Sequence, residues 1–78
     1  MKKYGNWFVD ELTPEARAIA QETADGYRKT LKKMQAAAAP GSVVETVGIP
    51  RVKREIESRE EFIRCCDAYA ADKENGLA

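Results

Sequence analysis

The sequence predicts an all-α fold: an antiparallel helical hairpin or three-helix arrangement built on one long N-terminal amphipathic helix. Three observations predict it. Apolar residues recur at helical spacing over 14–39, start and stop signals bound that run, and a second helical pattern occupies 51–73 beyond a short connection. Seventy-eight residues make a single small domain. At this length a core is marginal, and small helical proteins often complete their burial on a partner or a second copy.

The long helix is the best-marked element. Thr13 is an N-cap whose side chain can accept from an orphan backbone N–H, Pro14 suits the first helical position, and Glu15 favours the positive helix end. Ala16, Ala20, Ala24, Tyr27, Leu31, Met34 and Ala38 then fall within one stripe about 80° wide, with Ile19 at its edge. Arg17, Gln21, Glu22, Asp25, Arg28, Lys29, Lys32 and Lys33 occupy the opposite face. Pro40-Gly41 stops the helix. Gly26 costs about 1 kcal/mol relative to alanine and marks a kink, a close-packing point or a break; a continuous helix is the expectation.

Ahead of this helix, residues 1–12 form an aromatic arm, an extended segment or strand whose Trp7 and Phe8 cap the helical core. A strand followed by two helices resembles the ribbon-helix-helix DNA-binding arrangement, which needs a turn near Gly26; Tyr27-Arg28-Lys29 supplies no cap for a helix starting there. Residues 40–50 are the connection. Ser42-Val-Val-Glu45 is a capping-box pattern and Gly48 a C′ residue, which together predict one helical turn over 43–47. Val43, Val44, Val47 and Ile49 are expected to fold over one end of the core.

In the second helical region Val52, Ile56, Ile63 and Ala70 share one face, while Phe62, Cys66 and Tyr69 lie on a rotated one. The shift of stripe and a second capping-box pattern, Ser58-Arg-Glu-Glu61, predict a break near 58. Cys66 then belongs to the core and Cys65 to solvent. The expected core is Trp7, Phe8, Ile19, Ala20, Tyr27, Leu31, Met34, Val47, Ile56, Phe62, Ile63, Cys66 and Tyr69. A homodimer is expected, since a two-helix hairpin alone leaves much of its stripe wet.

Composition narrows the function by exclusion. There is no histidine, so the commonest general base, the commonest zinc ligand and Ser–His or Cys–His nucleophile pairs are missing. No glycine-rich phosphate loop, GxSxG elbow or EF-hand loop is present. Glu55, Glu57, Glu60 and Glu61 read as a solvated helix face. The expectation is a protein that is not an enzyme and carries no cofactor or metal. Two adjacent cysteines suit a reducing compartment, and no run is apolar enough for a signal peptide or membrane span. The chain reads as cytoplasmic, from a bacterium or a virus or mobile element of one.

Charge carries the positive information. The formal net charge is zero, yet residues 1–27 carry net −2, 28–54 carry seven cations against one acid for net +6, and 55–78 carry net −4. Arg28, Lys29, Lys32 and Lys33 form i,i+4 pairs on one helix face; Arg51, Lys53 and Arg54 open the second region, where cations oppose the helix dipole. These seven residues are the candidate site. The pattern suits electrostatic steering toward an acidic patch on a larger protein, whose surface this chain would occlude as an accessory or inhibitor. The alternative is a small DNA-binding regulator. The segment SVVETVGIPRVKREI resembles a helix-turn-helix, which would place Arg51, Lys53 and Arg54 toward DNA. It departs from that pattern at Arg54 and Glu57, where apolar residues are wanted. The run 49–64 after an alanine-rich helix is similar to the small theta subunit of bacterial replicative polymerases and its phage homologue. That resemblance implies a helical accessory protein without activity of its own, and no residue role is carried over.

Overall fold

A computed structural model describes residues 2–77. In chain order they form β1 (Lys3–Tyr4), β2 (Trp7–Phe8), a 3-10 turn (Val9–Glu11), α1 (Pro14–Ala37), a wide π-type turn (Val44–Gly48) and α2 (Ile49–Glu74). The two long helices pack antiparallel as a hairpin measuring 52 × 19 × 16 Å. The connection between them makes one end, here the tip; the chain termini make the other, the base.

α1 begins as its sequence dictates. The Ala16 N–H donates to Thr13 Oγ1 at 3.1 Å, and Pro14 occupies the first turn. The helix continues through Gly26, where a Cβ would meet nothing within 4 Å, so the glycine is neither a break nor a close-packing point. It ends at Ala37, ahead of Pro40.

The connection differs from the expectation. Ser42 does cap a helix, the Glu45 N–H donating to Ser42 Oγ at 3.3 Å, but the box is not closed: Glu45 Oε1 accepts from the Gly41 N–H at 3.1 Å, while the Ser42 N–H donates to the Ala39 carbonyl. The turn so started does not stop at Gly48, which is helical at φ −64°. It runs straight into α2 through the π-type turn, in which the Ile49 N–H reaches back to the Val44 carbonyl. Pro50 supplies the reason. A proline inside a helix donates nothing and crowds the carbonyl four residues earlier, and a widened turn relieves that crowding without ending the helix. Gly48 lies against the end of the Met34 side chain, whose Cε would sit 2.7 Å from a Cβ there.

α2 also runs unbroken through Ser58, where a break was expected. No proline or glycine interrupts it between Pro50 and Gly76. The second stripe serves a different purpose: it receives the N-terminal hairpin. β1 and β2 pair antiparallel around Gly5-Asn6, with Gly5 at φ 59° and Asn6 at negative φ, as in a type II′ turn. The Trp7 ring meets Phe62 edge-on at 5.2 Å, and Tyr4 meets Tyr69 at 5.6 Å. The Tyr4 hydroxyl donates to Asp72 Oδ2 at 2.6 Å.

The buried core is thin: Leu12, Ala20, Ala24, Ile56, Ile63 and Cys66. Ala24, on the predicted stripe, is fully covered at 0% exposure. Trp7, Tyr27, Leu31, Met34, Phe62 and Tyr69 are half-buried. Three expected core residues are not: Ile19 is 66% exposed, Val47 half exposed, and Phe8 lies outside the seam with the Lys3 ammonium 4.5 Å from its ring. Ile19 sits about 100° from Ala20 around the helix, too far to face α2. Val43, Val44 and Val47 face outward at the tip instead of folding over it. Cys65 is half covered, close beneath Gly5. Leu12, absent from the expected core, is buried immediately before the Thr13 cap; an apolar residue at that N′ position is the signal that marks it.

Because Gly26 is exposed, helical and uncrowded, Gly26→Ala is expected to stabilise the fold by about 0.5–1 kcal/mol. Chemical denaturation read by circular dichroism measures this, with the midpoint rising and the slope unchanged.

Candidate interaction surface at the hairpin tip

The antiparallel fold turns a contiguous basic stretch of sequence into one end of the molecule. Residues 28–37 of α1 and 43–54 of the second arm lie side by side, so the +6 segment becomes the tip of the rod. The net −2 and net −4 segments become the base. Arg28, Lys29, Lys32, Lys33, Arg51, Lys53 and Arg54 are all exposed.

One of the seven differs from the others. Arg28 Nη1 contacts Asp25 Oδ1 at 2.8 Å and its Nη2 contacts Glu60 Oε1 at 3.4 Å, so its charge is satisfied within the fold and it stitches α1 to α2. Among the described residues, Lys29, Lys32, Lys33, Arg51, Lys53 and Arg54 make no ion pair. They do not share a single plane. At about 100° per residue, Arg51, Lys53 and Arg54 point in three directions around their helix, so the cations form a collar around the tip. Val43, Val44 and Val47 are exposed at the same end, with Val43 at 75%.

The expected conflict between Arg51, Lys53, Arg54 and the helix dipole is largely removed. The helical arm starts at Ser42–Glu45, not at 51, so the cations lie about two turns inside it, and the dipole acts mainly within the first turn. The carboxylate favoured at a helix start is supplied by Glu45.

At the opposite end the polar groups pair with one another. Arg17 Nε donates to Asp67 Oδ1 at 2.7 Å and Nη2 to Oδ2 at 3.2 Å, a two-pronged bond across the helices. The bonded guanidinium holds the Asp67 carboxyl below its usual range. The bond to Asp72 raises the Tyr4 phenol, and burial raises the Cys66 thiol. An open groove of about 420 Å³ lies here between Leu12, Pro14, Cys66, Tyr69 and Lys73; no local pattern signals it because its walls come from three separate segments. Midway along the rod, Arg59 bonds Glu55 at 2.6 Å and lies 5.0 Å from the centre of the Tyr27 ring.

This arrangement can attract and orient an anionic surface by charge, with valines beside the cations to bury against it. Among the described residues no group of three or more His, Cys, Asp or Glu side chains is placed to hold a metal ion, and no helix is long and apolar enough to cross a membrane. Comparison with family models, curated proteins and solved structures gave no match.

The Arg17–Asp67 bond has a definite pH signature. Asp67 titrates lower in the folded chain than in the unfolded one, so its contribution is present above the ordinary aspartate value, about 3.9, and is lost as pH falls through the lowered folded value. Asp67→Asn is therefore expected to lower the melting temperature modestly at neutral pH. It should narrow the gap to wild type in strong acid, as read from thermal melts across a pH series.

Proposed function

We propose that this protein is a non-enzymatic accessory or inhibitor protein that docks its hairpin tip on an acidic patch of a larger protein and occludes that surface. The observation that carries the reading is the tip itself: six exposed cations without partners among the described residues, beside three exposed valines. Charges at such a rim raise the association rate and select the partner, while apolar groups buried within it supply the affinity. Arg28 belongs to the fold in this reading, and Lys29, Lys32, Lys33, Arg51, Lys53 and Arg54 to the partner. The chemistry of the partner follows: a carboxylate-rich rim around an apolar depression.

Duplex binding by the same cations is the second reading. The Gly-Ile-Pro segment lies inside a continuous helical arm, so a nucleic acid would be held here by phosphate contacts and not by a helix-turn-helix. Such binding would fall steeply with salt across all sequences.

The test compares wild type with the Lys29→Glu, Lys32→Glu, Lys33→Glu variant as tagged baits in bacterial lysate, with and without nuclease. All three positions are exposed and unpaired, so the variant should keep its helical circular dichroism. The reading expects a discrete protein that survives nuclease on the wild-type bait and is lost, or weakened at least about tenfold, on the variant. A complex retained by the folded variant, or captured material that disappears with nuclease, overturns it.

A further inference from the structure

We infer that a second copy of this chain covers the face carrying Ile19, in an antiparallel side-by-side dimer. Three observations point to it, and none requires a larger partner at the tip.

The first is the face. Trp7, Ala16, Ile19, Thr23 and Phe62 border one shallow depression that spans both helices. Ile19 stands in it 66% exposed, and the Trp7–Phe62 aromatic pair forms its wall. Aromatic side chains beside a protruding aliphatic one are what a protein interface is built from.

The second is area. A folded monomer of 8.7 kDa exposes about 4,700 Å². This chain exposes 5566 Å², and among the described residues no large side chain is fully buried. The excess, roughly 800 Å², follows from the rod shape, and it leaves the single hairpin with ample side surface for the ~800 Å² that each partner of a standard interface covers.

The third is charge. Tip and base carry opposite net charges along a rod 52 Å long, and the whole chain carries none. Two such rods laid antiparallel put each positive tip beside the negative base of the other copy; laid parallel they put like against like. A twofold axis near Thr23 and Ser58 makes the Ile19 face meet itself, as an isologous interface requires. It leaves one tip at each end of the dimer.

The full chain is tested by light scattering after gel filtration at micromolar concentration. Wild type is expected at twice the chain mass. Ile19→Glu is expected to raise the dissociation constant at least about 30-fold, with helical circular dichroism unchanged because the side chain is exposed in the single hairpin. Ala18→Glu, one residue away on an exposed position, should leave the dimer intact. Carbodiimide crosslinking of mixed isotopically light and heavy chains reads the orientation. Mixed links from Lys33 to Glu15, both exposed within about 40° of Ile19 around α1, support the antiparallel dimer. A monomeric wild type, a dimer indifferent to Ile19→Glu, or mixed links confined to residues of the same end overturns it. None of these outcomes depends on capture of a larger partner.

Discussion

The close approach of α1 and α2 along a seam of small side chains is the constraint on which the rest depends. Ala20 and Ala24 let the helices meet, and fully covered Ala24 leaves no room for a larger group. Alanines bury little area each, so the seam alone makes a thin core. Two features compensate. The N-terminal hairpin brings Trp7 and Tyr4 onto the side of α2 that α1 does not reach, and the Arg17–Asp67 and Arg28–Glu60 pairs fix the register. Exposed pairs of that kind add only about 0.2–1 kcal/mol each, so they specify alignment more than they stabilise it.

That seam also creates the electrostatic architecture. In an extended chain the basic stretch is flanked by acidic ones, and the three are strung out in line. Folding at 38–43 superposes the two acidic segments and leaves the basic one at the free end. A molecule without net charge becomes a rod with opposite ends, and the only step required is the antiparallel pairing of the helices.

Much of this was legible in the sequence, and the failures are instructive. The start of α1, its stop before Pro40, the half-buried Tyr27, Leu31 and Met34, and the burial of Ile56, Ile63 and Cys66 follow from local caps and periodicity. The break near Ser58 failed because a capping pattern permits a helix to start without forcing the previous one to end. The rotated stripe is real but marks no break; it is the seat of Tyr4 and Trp7, which lie over 50 residues away in sequence. The end of the short helix at Gly48 failed for a similar reason, since Pro50 distorted the helix instead of stopping it. At the candidate site, the identity of the cations was plain, but the pairing of Arg28 with Glu60 was not, because its partner lies on the other helix. The exposure of Val43, Val44 and Val47 depended on how the arm is rotated, which composition does not encode.

That rotation has its source in the wide turn at Val44–Gly48. A π-type turn amounts to one extra residue threaded into a helix, and one residue is about 100° of phase. Everything upstream of it is therefore turned by roughly a quarter of a revolution relative to the seam that Ile56 and Ile63 define. Val43 sits upstream of this phase shift, and Val44 and Val47 lie within the turn itself. Taking one residue out of the turn would restore ordinary winding and swing them round the arm's axis, changing which side chains the tip presents while α1 and the body of α2 stay as they are. The turn thus works as a rotational offset between the part of the arm that holds the fold together and the part that meets the outside.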